Sequence, residues 1–352
     1  MQNRRLLPLP LATLLVVLAG CANVGVEPDR GAPNPGAQSS ALGELCVLAE
    51  EESGPVIWYE SSPPEQSDEI LAAFNASFPK IAVEHVRIAG GASIAAQVIQ
   101  ESQFNARTAD MVTGAVVQIV ELAGRDLVAD LDATKMGITN EDLMPVPYAM
   151  ATTASVPVIA YNTDQVDAED APQTWEDLLD PKWSGKMGAY ASQGNFFANL
   201  VPEWGETKTD EYVKAWAATG PILSESTFSL SQNVGAGALA IGLSLYHTTK
   251  DVMNTGAPVD FIIPEPVPIS ILYSSMVTSS PNPLSTQCFI GWLGSEEGAL
   301  AYEDGTSRGN YLVPSTNTYA LLQGKKKVSQ LGFDDPERQA ELTKKYNTMI
   351  AQ

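Results

Sequence analysis

The sequence predicts an α/β protein of two lobes, and three features of the chain carry that expectation. From residue 41 onward, short apolar runs rich in β-branched and aromatic residues alternate with segments of helical periodicity, as in α/β architecture. Gly, Pro and capping residues punctuate the alternation. Residues 41–352 also exceed what one core of ordinary size needs, so two domains are expected.

Taken in order, Ala41 to Ser53 reads as a helix with Leu42, Leu45 and Leu48 apolar, broken by Gly54-Pro55. Val56-Ile57-Trp58-Tyr59 is a first buried strand. Glu60-Ser61-Ser62 follows, and Pro63-Pro64 opens a helix, a position where a missing N–H is harmless. Ile70, Leu71, Phe74 and Phe78 keep helical spacing up to Pro79. Ile81 to Ile88 is a second strand, closed by Gly90-Gly91-Ala92-Ser93, with Ser93 as N-cap of the next helix. Asp110 to Thr113 is a third strand, followed by a helix to about Gly124. Val156 to Tyr161 is expected to cross into the second lobe. Thr174 and Asp177 have capping-box spacing for a one-turn helix that Asp180-Pro181 ends. Met187 to Tyr190, Ala238 to Leu245 and Val259 to Ile263 are strands, with a helix at Tyr212 to Thr219. Ser270 to Thr278 returns to the first lobe. Single helices are expected at Pro283 to Tyr302 and Pro336 to Gln352. The expected division is 41–157 and 265–352 for lobe 1, and 158–264 for lobe 2.

The first residues point to a compartment. Arg4 and Arg5 precede an apolar run that is too short to span a bilayer and ends in Leu18-Ala19-Gly20-Cys21. This reads as a lipoprotein signal peptide over residues 1–20, with Cys21 as the lipidated residue. Anchoring then needs no transmembrane helix. Residues 21–40 are Pro, Gly and small polar residues, a tether rather than a folded segment. The expected location is extracytoplasmic, at the cell membrane. Of the three cysteines, Cys46 and Cys288 then lie on the oxidising side, where a disulfide between them is expected. Two buried free thiols are the alternative.

The formal net charge is -22, and no basic face suited to nucleic acid is legible. Such acidity marks a soluble surface and does not make the ligand a cation. No Cys-x-x-Cys, His-Glu-x-x-His, Gly-x-Ser-x-Gly or P-loop pattern occurs, so neither a cofactor, a metal site nor an enzyme is expected. His85 lies in a strand and reads as structural.

Several stretches together resemble one family. They are Val56-Ile57-Trp58-Tyr59-Glu60-Ser61-Ser62, Gly90-Gly91-Ala92-Ser93, Ala109-Asp110-Met111-Val112, Ala160-Tyr161-Asn162-Thr163, the run from Thr174 to Lys186, Gly256-Ala257-Pro258-Val259 and Ser295-Glu296-Glu297-Gly298. The chain from about 41 to 320 resembles the family-1 bacterial extracellular solute-binding proteins, in the branch that includes ferric-ion-binding proteins. The stretch Trp175-Glu176-Asp177-Leu178-Leu179-Asp180-Pro181-Lys182-Trp183 is its most specific part. The resemblance implies a two-lobed periplasmic-binding-protein fold of type II with crossing hinge strands. It implies a monomer that passes a small-molecule ligand to the permease and ATPase subunits of an ABC importer.

Ligands of such folds sit beyond the carboxyl ends of strands, where helix N-termini present free N–H groups. Candidate ligand-binding residues are therefore Tyr59, Glu60, Ser61 and Ser62 after the first strand, and Gly91 and Ser93 after the second. Ser192, Gln193 and Asn195 follow Tyr190 in the second lobe. Tyr246, His247 and Tyr273 complete the set. Ferric-ion binders of this branch present adjacent tyrosines where this chain has Tyr246-His247, and often a His where it has Pro63-Pro64. A trivalent ion wants several anionic oxygens, so an organic or anionic ligand is the first reading and ferric iron the alternative. A receptor or structural lipoprotein, or a hydrolase, is a further alternative.

Overall fold

The computed structural model describes residues 40–88, 91–104, 106–325 and 327–351, apart from the side chains of 91–93. The expected signal peptide, Cys21 and all but the last residue of the tether lie outside the described residues.

The chain opens with α1 (Ser40–Ala49), then β1 (Val56–Glu60), α2 (Pro64–Ser77), β2 (Val83–Arg87), α3 (Gly91–Gln103), β3 (Met111–Ala115), α4 (Val116–Ala123), β4 (Val128–Ala129) and β5 (Met150–Ser155). The next stretch holds β6 (Pro157–Asn162), β7 (Met187–Tyr190), α5 (Gly194–Ala198), α6 (Val201–Trp204), α7 (Glu206–Ala217), β8 (Ile222–Ser224), α8 (Thr227–Gly235), β9 (Ile241–Leu245), α9 (Tyr246–Asn254) and β10 (Val259–Ile262). The chain ends with β11 (Val267–Pro268), β12 (Ser270–Val277), α10 (Pro283–Leu293), α11 (Glu296–Thr306), α12 (Asn317–Leu322), β13 (Val328–Ser329) and α13 (Pro336–Ile350).

Among the described residues the first sheet runs β2-β1-β3-β12-β4, with β5 also paired to β12, and the second runs β10-β6-β9-β7-β8. β1 pairs parallel with β2 and β3, and β7 parallel with β9 and β8. β12 is antiparallel to β3 and β5, and β6 to β9. Only Val156 separates β5 of the first sheet from β6 of the second, and β12 brings the chain back. These are the crossing strands of the expected fold.

Two clusters fill the first lobe, and the second of them extends past the crossing strands to Tyr246 and Phe261. One is built on Trp58, Phe74, Phe289, Trp292 and Tyr302, the other on Ile94, Val112, Ile119 and Val156. Cys46 and Cys288 lie in the former and are bridged, with Cα atoms 5.1 Å apart, so the expected disulfide joins α1 to α10. The second lobe closes on Trp175, Phe197, Tyr212 and Trp216. The expected capping box is present there. Thr174 Oγ1 accepts from the Asp177 N–H at 3.2 Å, and the Asp177 carboxylate accepts from the Thr174 N–H at 2.9 Å.

Three expectations are corrected. The helix expected from Pro283 to Tyr302 is two, because the chain breaks at Gly294 and Ser295 caps α11, its Oγ accepting from the Gly298 N–H. β5 goes unforeseen because Met150-Ala-Thr-Thr-Ala-Ser155 is buried on both faces and shows no alternation. The last helix, expected in lobe 1, packs Leu342, Tyr346 and Ile350 of α13 into the core of the second lobe. Amphipathic spacing fixes which face of a helix is buried but not which surface buries it.

Candidate functional site

The carboxyl ends of β3 in the first sheet and of β7 and β9 in the second line a common groove. In each lobe a helix starts where a strand stops: α4 directly after β3, α9 directly after β9, and α5 shortly after β7. A cavity of about 1040 Å³ lies between α4 on one side and Tyr190, Ser192, Asn195 and Leu245 on the other, with Ser155 and Ser270 on its floor. A second cavity of about 760 Å³ shares Ala115, Val117, Asn195, Ser270, Ala340 and Thr343 with it and continues along α13. The two form one groove, walled in part by the C-terminal helix.

Its walls are largely apolar, with hydroxyls and amides at a few positions and with Glu121, Arg125, Glu337 and Lys344 among the lining residues. Asn195 Nδ2 donates to Ser270 Oγ at 3.3 Å across the groove. The Gly194 N–H donates to Asn347 Oδ1 at 2.8 Å, which ties α5 to α13. Gly194 is needed for that approach, because a Cβ there would stand 2.4 Å from the Thr343 carbonyl oxygen. Arg125 meets Glu121 at 3.5 Å, and both line the larger cavity. Gln118 and Gln339 are buried wall residues whose Oε1 atoms have no donor.

A second polar group lies between the end of β1 and the start of α9. Glu60 is fully buried; its carboxylate accepts from the Ser62 N–H and from Ser61 Oγ at 3.2 Å. His85 Nε2 stands 3.6 Å away, beyond hydrogen-bond distance. Burial works to raise the Glu60 pKa, but His85, the Arg308 charge and Ser62 together hold it below the ordinary glutamate value. Arg308 Nη2 donates to His247 Nε2 at 3.0 Å. Burial first, and Arg308 second, hold the His247 pKa well below that of a free histidine. Ser62 Oγ, His247 Nδ1 and Arg308 Nε are buried without a hydrogen-bond partner.

The structure thus distributes the candidate residues. Ser192 and Asn195 line the groove. Glu60, Ser61, Ser62 and His247 gather in the polar group. Tyr59, Tyr246 and Tyr273 are core residues of the cluster built on Ile94, Val112, Ile119 and Val156. The Tyr59 hydroxyl donates to Glu101 at 3.1 Å, and burial and that carboxylate push its pKa up to about 12. Tyr246 packs edge-on to Phe261, and Tyr273 edge-on to Phe333. Gln193 is fully buried, with neither amide atom bonded. Gly91 begins α3 and Ser93 lies in its first turn; the Ser93 side chain is outside the described residues. The groove's Gln118 and Gln339, and Arg308, were not anticipated. Gln118 follows a strand end, as Ser192 does. Nothing in the sequence links residues 308 and 339 to this region. Among the described residues no group of three or more His, Cys, Asp or Glu side chains is placed to hold a metal ion.

Residues 69–332 match the model of a family described as bacterial extracellular solute-binding protein. No curated protein is significantly similar to the chain. Many solved structures share the fold. Iron-bound HitA from Pseudomonas aeruginosa is 18% identical, with 85% of this chain and 100% of that one covered at a TM-score of 0.72. AfuA from Actinobacillus pleuropneumoniae, with fructose-6-phosphate bound, is 20% identical over 85% and 99% at 0.67. The substrate-binding protein of an ABC transporter from Agrobacterium tumefaciens is 17% identical over 85% and 96% at 0.71. At these identities the likeness is one of fold.

Proposed function

This chain belongs to the bacterial extracellular solute-binding protein family, and from that premise we propose that it is the solute-capturing component of an ABC importer, taking a small organic ligand, uncharged or singly anionic. The observation that carries the reading is the groove of about 1040 Å³ between the strand ends of two sheets, the place where two-lobed proteins enclose ligands. Its inner wall offers hydroxyls and amides from Ser155, Ser192, Asn195, Ser270 and Gln118, with Tyr190 as an aromatic surface. Relatives in fold are named for iron, for a sugar phosphate and for spermidine and putrescine, so the wall chemistry carries the argument about the ligand. A ferric ion would need several anionic oxygens. Here Tyr246 is a core residue, and His247 Nε2 already accepts from a guanidinium.

The test is a thermal-shift titration of the full chain with glucose, fructose 6-phosphate, citrate, phosphonoacetate and ferric citrate. An organic ligand at a hundred times its Kd should stabilise by about 2.7 kcal/mol. Stabilisation by ferric citrate with a tyrosinate absorption band, lost in Tyr246→Phe, would instead establish the iron reading. The family places the protein outside the cytoplasm. Its attachment there through lipid on Cys21, its action as a monomer and its delivery to permease and ATPase subunits belong to the same proposal. Cys21→Ala should leave the protein unprocessed or free it from the membrane fraction; a mature, detergent-requiring variant would show another anchor.

A further inference from the structure

We propose that Ser307 and Arg308 form a clasp between the lobes, which makes Arg308 a positioning residue that sets how far the solute site is closed. The inference rests on the two-lobe binding reading and adds to it residues that line neither cavity. Ser307 and Arg308 follow α11, which packs on α2 in the first lobe, whereas α9 packs on α8, β9 and β10 in the second. Ser307 Oγ donates to Asp251 Oδ1 at 2.8 Å, and Arg308 Nη2 donates to His247 Nε2 at 3.0 Å. His247 and Asp251 lie four residues apart on α9, on one face of the helix. Two consecutive residues of one lobe therefore hold a single turn of the other.

The segment is built for that reach. Ser307 takes φ 53° at the end of α11, a left-handed conformation unfavourable for a residue with a Cβ and maintained here by its surroundings. Behind the turn, Thr153 Oγ1 donates to the Arg308 carbonyl oxygen at 2.8 Å, and the Ala154 N–H donates to that of Gly309 at 2.9 Å. Both belong to β5, the strand that runs into the crossing, so the clasp is fixed at the hinge. Ligand affinity scales with the fraction of molecules already closed, so a clasp that favours closure changes affinity without touching ligand.

The experiment is pulsed electron–electron distance measurement on the full chain without ligand, with spin labels at Asp68→Cys on α2 and Asn254→Cys at the end of α9, both exposed. A hydrogen bond to a charged group is worth about tenfold or more in an equilibrium constant. Arg308→Met should lower the closed-to-open ratio about tenfold, and Arg308→Lys should restore part of it. Ser307→Gly separates the clasp from the fold: glycine is at ease at this φ, so the variant should fold at least as well and yet open. Wild-type distance distributions in folded Ser307→Gly and Arg308→Met overturn the proposal; if Arg308→Met does not fold, Ser307→Gly alone decides. Because no ligand is present, failure here leaves the solute-binding reading standing.

Discussion

Protonation of His247 is the perturbation whose effect the structure quantifies best. The ring is buried, and its Nε2 accepts from Arg308, which can only donate, so the single proton sits on Nδ1. A second proton would place two cations in contact in a buried site, in line with a pKa held well below 6.5, first by burial and then by Arg308. The unfolded chain takes up its proton near pH 6.5. Below that pH the unfolded state binds more protons than the folded one, so stability is lost as pH falls. If the folded imidazole stays neutral throughout, one such group removes about 1.4 kcal/mol between pH 7.5 and 5.5. Asp251, whose carboxyl pKa is raised by burial, takes up protons when folded and opposes this toward the acid end. The readout is therefore a difference: urea unfolding of wild type and His247→Gln at both pH values, followed by tryptophan fluorescence. Wild type should lose about 1.4 kcal/mol more than the variant, seen as a midpoint shift at unchanged slope. Equal losses would refute the placement of a neutral His247 against Arg308.

Two further outcomes concern packing. Removing the Cys46–Cys288 bridge as the double alanine variant reopens a loop spanning 242 residues; the chain-entropy model gives about 5 kcal/mol, to be measured by guanidinium unfolding. Peptide mapping without reduction should recover 46 and 288 joined, and two alkylatable thiols in the folded protein would rule the bridge out. Gly194→Ala sets a Cβ 2.4 Å from a backbone oxygen of α13; it should cost about 1–3 kcal/mol, and an unchanged Tm would show that α13 does not lie against α5.

Local signals in the sequence were enough for a good part of the fold. The helix starts at Pro64, Pro283 and Pro336, and the box at Thr174 and Asp177, act over one turn, and β1, β6 and β9 are written in runs of apolar residues. The helices α5, α8 and α9 were not legible, because five to nine residues hold too few turns for a period to show unless, as in α4, nearly every position is apolar. Of the site, the sequence indicated the strand ends that form it, including Ser192 and Asn195, since a strand followed by a helix start always leaves polar groups at its carboxyl edge. It placed Tyr59, Tyr246 and Tyr273 there too, because an aromatic residue at a strand end can turn into the core as readily as toward the groove.

By itself, then, the sequence determined the alternating α/β order, the phase of its longer helices and the chemistry available to its cysteines. All of these depend on residues a few positions apart or on the covalent reactivity of single side chains. The tertiary structure alone decided that α13 packs into the second lobe, that Asn347 meets Gly194, and that Arg308 meets His247. The latter two join residues 153 and 61 positions apart, and the packing of α13 reaches further still. A pairing at that range is selected by how two whole surfaces fit and by which buried donors find acceptors, and neither quantity exists until both surfaces are folded.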